Sequence, residues 1–157
     1  MTGIALVTGG TRGIGAAIAR SLKAAGWNVA SIYHGNDAAA ELFRDGTGIP
    51  VYKWDVAEEQ ACREGLARVE KELGPVSVLV NNAGMAVIGP LVGAEPSRLD
   101  SMIQLNVTAL TQLAVAAAGA VQDGEHVFAA GAGCRRARHH RRLPGLPPRG
   151  AGEEAGT

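Results

Sequence analysis

At 157 residues, with 46% hydrophobic and 19% charged residues, the chain is about one domain long and reads as globular rather than disordered or fibrous. Two cysteines, Cys62 and Cys134, are too few for a disulfide framework, and the opening MTGIALVTGG has neither a basic n-region nor a long apolar run, so a cytoplasmic location is expected. The formal net charge is zero, but residues 1–113 hold 9 Lys+Arg against 11 Asp+Glu while residues 114–157 hold 6 against 4, so two compositions are joined in one chain.

Ile4-Ala5-Leu6-Val7 is a short apolar run ending in Thr8-Gly9-Gly10, after which Ile14, Ala17, Ile18 and Leu22 recur at helical spacing until Gly26. Residues 27–33 predict a second strand, 38–44 a short helix and 50–54 a third strand ending at Asp55-Val56. A long amphipathic helix over 58–73 is closed by Gly74-Pro75, and Val76-Ser77-Val78-Leu79-Val80 is nearly all apolar, as a central parallel strand is. Pro96, preceded by Glu95, opens a helix from about Ser97 to about Ala118, and residues 126–129 offer a fifth strand. The apolar stretch from Val107 to Val121 is interrupted by Thr108, Thr111 and Gln112 and falls short of the ~20 residues of a membrane span, so no membrane association is expected. Strands alternating with helices imply an α/β fold, a doubly wound parallel sheet covered on both faces.

The chemistry starts at Thr8-Gly9-Gly10-Thr11-Arg12-Gly13-Ile14-Gly15. Glycines there let the chain turn out of the first strand, let a diphosphate approach the main chain, and let the next helix pack against the sheet, with the free N–H groups of its first turn facing the anion. A glycine-rich turn alone is compatible with nothing more than a tight turn; its place between a first strand and an amphipathic helix, ahead of a β-α-β-α-β pattern, makes it a nucleotide site.

Three motifs in register, Thr-Gly-x-x-x-Gly-x-Gly at residues 8–15, Asp55-Val56 after the third strand and Asn81-Asn82-Ala83-Gly84 after the fourth, resemble the short-chain dehydrogenase/reductase family. Residues 1–84, with GTRGIGAAIA, GIPVYKWDV and ELGPVSVLVNNAG, are similar to bacterial NADPH-dependent acetoacetyl-CoA reductases; Ser77 departs from the Asp commonly found at its position, a minor change. The resemblance implies a three-layer, Rossmann-like sheet of about five strands in the order 3-2-1-4-5, left incomplete by this chain. It implies an oxidoreductase that uses NADP(H) to reduce a 3-oxoacyl thioester such as acetoacetyl-CoA to the 3-hydroxyacyl form, a small-molecule substrate of the acyl-CoA class, and a possible homo-oligomer. It also implies that Gly9, Arg12, Gly13, Ile14 and Gly15 wrap the diphosphate and adenosine phosphate, that Asp55 and Val56 border the adenine, and that Asn81, Ala83 and Gly84 line the ribose side. Thr11 in the glycine loop and Tyr33, His34 and Gly35 at the end of the second strand complete the expected coenzyme-binding set.

Coenzyme choice has a physical argument of its own. A site for NAD usually offers a carboxylate at the end of the second strand to the ribose 2′-hydroxyl, and that charge would repel a 2′-phosphate. Here the strand ends Ile32-Tyr33-His34-Gly35, with no acid, while Arg12 can meet a 2′-phosphate with its guanidinium. NADP(H) is therefore the expected coenzyme, against the plainer reading of Arg12 as a solvated loop residue and of Asp37 as a helix N-cap.

Beyond Gly84 the stretch Ser101-Met102-Ile103-Gln104-Leu105-Asn106-Val107-Thr108 keeps the general family pattern. By that resemblance Asn106 is the catalytic asparagine, which helps hold a water in the proton relay; the plainer alternative is a helix-interior Asn bonded to its own backbone. Family reductases donate the proton from a tyrosine whose pKa a lysine lowers, while a serine holds the substrate oxygen. This chain has only Tyr33 and Tyr52, no lysine beyond Lys71 and no serine beyond Ser101, so the Tyr-x-x-x-Lys motif is absent, and the family's serine position reads Ala129-Ala130-Gly131-Ala132-Gly133. Weak or absent coenzyme binding and no detectable turnover by this chain alone are expected.

The sequence divides at 1–131, the nucleotide-binding domain, and 132–157, an irregular tail expected to be disordered. Ala, Gly, Arg and Pro fill 16 of the last 24 positions with no apolar period, a composition too poor in burial to offset ordering entropy. Such bias is what GC-rich coding DNA yields out of frame, so a frameshifted or truncated product is the expected origin. Arg135, Arg136, Arg138, Arg141 and Arg142 could meet nucleic-acid phosphates, but no aromatic residue interleaves with them to stack bases and three prolines oppose a recognition helix, so no nucleic-acid partner is expected. His139-His140 lack partner ligands and no metal site is expected; Cys62 reads as a buried thiol. A non-catalytic nucleotide-binding module and a basic-tailed interaction protein remain the competing functions.

Overall fold

The computed structural model describes residues 3–86, 88, 92–93 and 95–120. The elements run β1 (Ile4–Thr8), α1 (Gly13–Ala24), β2 (Asn28–Tyr33), α2 (Asp37–Thr47), β3 (Val51–Lys53), α3 (Glu59–Leu73), β4 (Val76–Val80), α4 (Pro96–Ile103), a π-helical segment (Gln104–Ala109) and α5 (Leu110–Ala120). The four strands form one parallel sheet in the order β3-β2-β1-β4. The expected 3-2-1-4 order is present; the expected fifth strand at 126–129, the domain boundary at 131 and the Arg/Pro-rich tail lie outside the described residues.

β1 and β4 are buried along their whole length, which is why their sequences are continuous apolar runs rather than alternating ones. Alternate residues feed two cores. Ile4, Leu6, Ile32, Val76 and Leu79 pack with Cys62, Leu66 and Val69 of α3 and Leu113 and Ala117 of α5. Ala5, Val7, Val29, Val78 and Val80 pack with Ala16 and Ala19 of α1 and Phe43 of α2. A bulge interrupts the β1–β4 ladder between Ile4 and Ala5, which pair with Val76 and Val78, so the register steps over Ser77.

Helix ends follow local chemistry with one correction. The Asn36 side chain, not Asp37, caps α2, accepting from the Ala39 amide at 2.9 Å, and Asp37 is the first helical residue. Gly48 ends that helix in the left-handed conformation at φ 65°. Gly65, inside α3, is a helix-interior glycine with a packing reason: a Cβ there would lie 2.6 Å from the Trp54 indole, which rests against the helix backbone.

The helix expected as one piece from Ser97 to Ala118 is broken by the π-helical turn at Gln104–Ala109. Taken together, Pro96–Ala118 has the length and composition of a membrane span, a longer unit than the Val107–Val121 run that the sequence singles out. Its Ala109, Leu113 and Ala117 are buried, Leu113 and Ala117 against the sheet and α3, so one face serves as a layer of the α/β core.

Candidate functional site

The chain visits β1, β2 and β3 on one side and then returns to place β4 on the other side of β1. Connections leaving β1 and β4 therefore diverge, and a crevice opens at the carboxyl ends of the strands, where open α/β sheets bind ligands.

The loop leaving β1 has its shape imposed by glycine. Gly9 and Gly13 have φ of 62° and 53°, values that side-chain-bearing residues rarely adopt. Gly15 is buried, and a Cβ on it would sit 2.2 Å from the Gly9 carbonyl oxygen, so this turn closes on itself only without side chains. Arg12 is the N-cap of α1 in extended conformation and its side chain caps nothing. The first helical amide to find a partner is that of Ala16, on the Arg12 carbonyl at 3.1 Å. The preceding amides, Gly13 to Gly15, have no intrahelical acceptor and carry the positive end of the helix dipole; a Cβ on Gly13 would meet nothing within 4 Å. An uncapped helix start beside open space fits an anionic diphosphate.

Thr8 joins this loop to the one leaving β4. Its hydroxyl is buried, donates to the Val80 carbonyl at 3.3 Å and accepts from the amides of Asn82 (2.9 Å) and Ala83 (2.8 Å). The Asn82 amide group donates in turn to the carbonyls of Thr8 (3.0 Å) and Gly9 (3.3 Å). One threonine and one asparagine thus set two loops more than 70 residues apart in sequence against each other.

The crevice between them is a cavity of 790 Å³ that draws on all three strand-end motifs. Gly9, Thr11, Arg12, Gly13, Ile14 and Gly15 line it from the glycine loop, Tyr33, His34 and Gly35 from the end of β2, Asp55 and Val56 from the end of β3, and Ala83 and Gly84 from the loop after β4. Asn81 is the exception among the residues expected there. It is buried and does not line the cavity, its side chain donating to the Leu110 carbonyl at 3.3 Å, so it ties β4 to α5. Trp54, Asn36, Asn82, Met85 and Leu105 also line the cavity. Asn82 was legible as part of Asn81-Asn82-Ala83-Gly84; Trp54 had no signal beyond its place at a strand end.

Asn106 projects from the π-helical segment to the loop after β4. Its Oδ1 accepts from the Met85 amide at 3.0 Å and its Nδ2 donates to the Met85 carbonyl at 2.8 Å, so it bonds to the backbone of another loop rather than to its own helix. The chain's only tyrosines are both committed to carboxylates: Tyr33 donates to Asp37 at 3.0 Å and Tyr52 to Glu72 at 2.9 Å. Burial, reinforced by these bonds, raises both hydroxyl pKa values, that of Tyr52 to about 12, which makes each a poor proton donor near neutrality.

Charge at the β2–β3 end of the cavity is organised by pairs. Asp55 accepts from the Ala57 amide at 2.9 Å and lies 3.7 Å from His34 across the gap between β2 and β3. Asp37 holds Lys53 at 2.8 Å. The hydrogen bonds from Lys53 and then Tyr33 depress the Asp37 carboxyl pKa, and the bond to Asp37 raises that of the Lys53 ammonium. Exposed Arg12 makes no ion pair among the described residues, leaving its guanidinium available at the cavity. Buried Cys62 donates to the Val56 carbonyl at 3.4 Å, and burial pushes its thiol up, as suits an inert core residue. Among the described residues no group of three or more His, Cys, Asp or Glu side chains could hold a metal ion.

Residues 3–128 match the family model described as short chain dehydrogenase. The chain belongs to that family. It is 54% identical over 110 residues to acetoacetyl-CoA reductase of Shinella zoogloeoides, a match covering 70% of this chain and 46% of that protein. It is 54% identical over 108 residues to acetoacetyl-CoA reductase of Rhizobium meliloti (strain 1021), covering 69% and 45%. Among solved structures, a short chain dehydrogenase from Burkholderia cenocepacia J2315 in complex with NADP superposes with a TM-score of 0.74 at 34% identity, covering 82% of this chain and 55% of that one. The chain therefore spans about half the length of the short-chain dehydrogenases it matches. The likeness to acetoacetyl-CoA reductases also runs further than the 84 residues from which the sequence motifs suggest it.

Proposed function

We propose that the chain is the coenzyme-binding half of an NADP(H)-dependent short-chain reductase acting on a 3-oxoacyl thioester such as acetoacetyl-CoA, and that these 157 residues bind the dinucleotide without completing the reaction. The observation that carries this reading is the uncapped start of α1, with Arg12 at the cavity edge and no acidic side chain among the residues of β2's end that line it. Bound there, the coenzyme would supply a hydride to the substrate's carbonyl carbon. The amides of Gly13 to Gly15 would hold its diphosphate, and Arg12 its 2′-phosphate. His34, Asp55, Val56 and Trp54 would enclose the adenine, and Ala83 and Gly84 would flank the ribose nearer the nicotinamide.

Asn106 would act at the far end of the cavity. Its grip on Met85 positions the loop after β4, and in a complete enzyme it would help hold the water of the proton relay. Tyr33 and Tyr52 are occupied by carboxylates, so no tyrosine of this chain stands free to protonate a substrate oxygen. Names and lengths of the acetoacetyl-CoA reductases support the substrate class and leave the Ser and Tyr-x-x-x-Lys functions to residues beyond those matched. A cytoplasmic setting and a homo-oligomer belong to the same reading; Ile103, Val107 and Val115 are exposed apolar side chains on the long helix that a second subunit could cover.

Isothermal titration of the full chain with NADPH and NADH tests the coenzyme assignment. We expect NADPH to bind, with micromolar to millimolar weakness, and Arg12→Glu to weaken NADPH by about ten-fold or more while leaving NADH within about two-fold, as loss and reversal of one charge-assisted contact requires. Equal losses for both coenzymes would overturn the assignment of Arg12, and absence of any NADPH binding would overturn the reading itself.

A further inference from the structure

A carboxylate on the lip of a site for a 2′-phosphate is unexpected, and Asp37 is one, two residues past Gly35 of the cavity wall. Asp37 does not itself line the cavity, and its two oxygens are both engaged: Oδ1 accepts from the Tyr33 hydroxyl at 3.0 Å and Oδ2 from the Lys53 ammonium at 2.8 Å. These partners come from the ends of β2 and β3, so the bonds pin the first turn of α2 to the sheet edge. The residues that follow β2 into the cavity wall, Tyr33, His34, Gly35 and Asn36, carry no acid, and the carboxylate that does line this corner is Asp55 from the end of β3.

Surface ion pairs contribute little to folding stability, and this one is half-exposed on both sides. Its position gives it another use. Resting on the coenzyme reading above, we infer that Lys53 is a specificity-positioning residue: by compensating Asp37 it prevents a second negative charge, beside that of Asp55, from opposing a 2′-phosphorylated coenzyme at the adenosine corner. Lys53 acts through Asp37 and touches no ligand. Tyr33 contributes by holding the other carboxylate oxygen with its hydroxyl.

The adenosine half of the coenzyme suffices to test this, which removes the nicotinamide end from the experiment. The full chain is titrated calorimetrically with 2′,5′-ADP and with 5′-AMP, which differ by the 2′-phosphate alone. Lys53→Met is expected to weaken 2′,5′-ADP by about five-fold and 5′-AMP by less than about two-fold, the size of one unscreened charge acting through water near a phosphate. Lys53→Arg should keep wild-type discrimination. Asp37→Asn combined with Lys53→Met restores neutrality and should bring 2′,5′-ADP back to within about two-fold of wild type, and Asp37→Asn alone should tighten it; the cycle isolates the charge from any change of packing. The five-fold effect should shrink as salt is raised.

Equal weakening of both ligands, or failure of the double variant to recover, would show a structural role and overturn the inference, as would an unchanged Lys53→Met. Should that variant fail to fold, an Asp37→Asn chain that binds 2′,5′-ADP no more tightly than wild type overturns it independently. Wild-type chain that binds neither ligand takes down the coenzyme reading and this inference together; wild-type binding with insensitive variants takes down this inference alone.

Discussion

Two walls face each other across the cavity, and they are held by different forces. On the β1–β4 wall, Thr8, Asn82 and Asn106 bind main-chain atoms of distant loops through neutral hydrogen bonds, and Thr8 is fully buried. On the β2–β3 wall, Tyr33, Asp37, Lys53, His34 and Asp55 interact side chain to side chain, close to solvent, through charge. The first wall can be altered only by disturbing the fold, because its side chains bind the main chain of distant segments. The second can be rewritten residue by residue, because its bonds are between side chains on an already formed edge. On the proposed reading, the first wall fixes the diphosphate site and the second is where the adenosine corner can be tuned.

The sharpest way to break the first wall is Gly15→Ala. The added methyl would meet the Gly9 carbonyl at 2.2 Å, a backbone atom with no room to retreat, and a loss of about 3 kcal/mol or more is expected in urea unfolding. Next in size, Thr8→Val keeps the shape and removes the hydroxyl that serves two amides and one carbonyl; about 2–4 kcal/mol should be lost, since buried donors are left without an acceptor. A stability change within about 0.5 kcal/mol would show that this hydroxyl does not bind the loops together. Asn106→Ala should cost only about 1 kcal/mol globally, its bonds being exposed, yet the Met85 amide should lose most of its hydrogen-exchange protection while β4 amides keep theirs.

The smallest effect lies behind the second wall, at the outer edge of β3. Tyr52 is pushed up to about 12 by burial and its bond to Glu72, whereas in the unfolded chain it ionises near 10. The unfolded state therefore sheds the proton first, and the Tyr52 contribution, intact below pH 10, is lost as pH rises through about 12. Tyr52→Phe should flatten that alkaline limb and change neutral-pH stability little; an unchanged limb would show that Tyr52 ionises alike in both states.

How much of this was legible differs between the walls in the same way. The glycine turn and β4 could be read almost to the residue, since positive φ demands glycine and a strand buried on both faces demands an unbroken apolar run. The family motifs brought their residues to one cavity, Asn81 excepted, because a motif fixes neighbours in sequence and not which of two adjacent asparagines turns inward. Asn36 rather than Asp37 caps α2, both being residues that can cap, while the Asp37 carboxylate is held by Tyr33 and by Lys53, sixteen residues away. The π-helical turn left no trace in composition: an additional residue in one helical turn changes no hydrophobic period strongly enough to read. Trp54 entered the cavity wall because Gly65 admits its ring, a pairing between a strand end and a helix interior that no local pattern encodes.

That same accommodation equips the protein with its own optical probe. Only two indoles exist in the chain; Trp54 borders the nucleotide cavity, and Trp27 lines a separate groove with Ile4 and Leu73 at the opposite end of the strands. Emission from the former would respond to whatever fills the crevice, while the latter would answer to melting of the sheet, so occupancy and unfolding could be followed in one cuvette without a label.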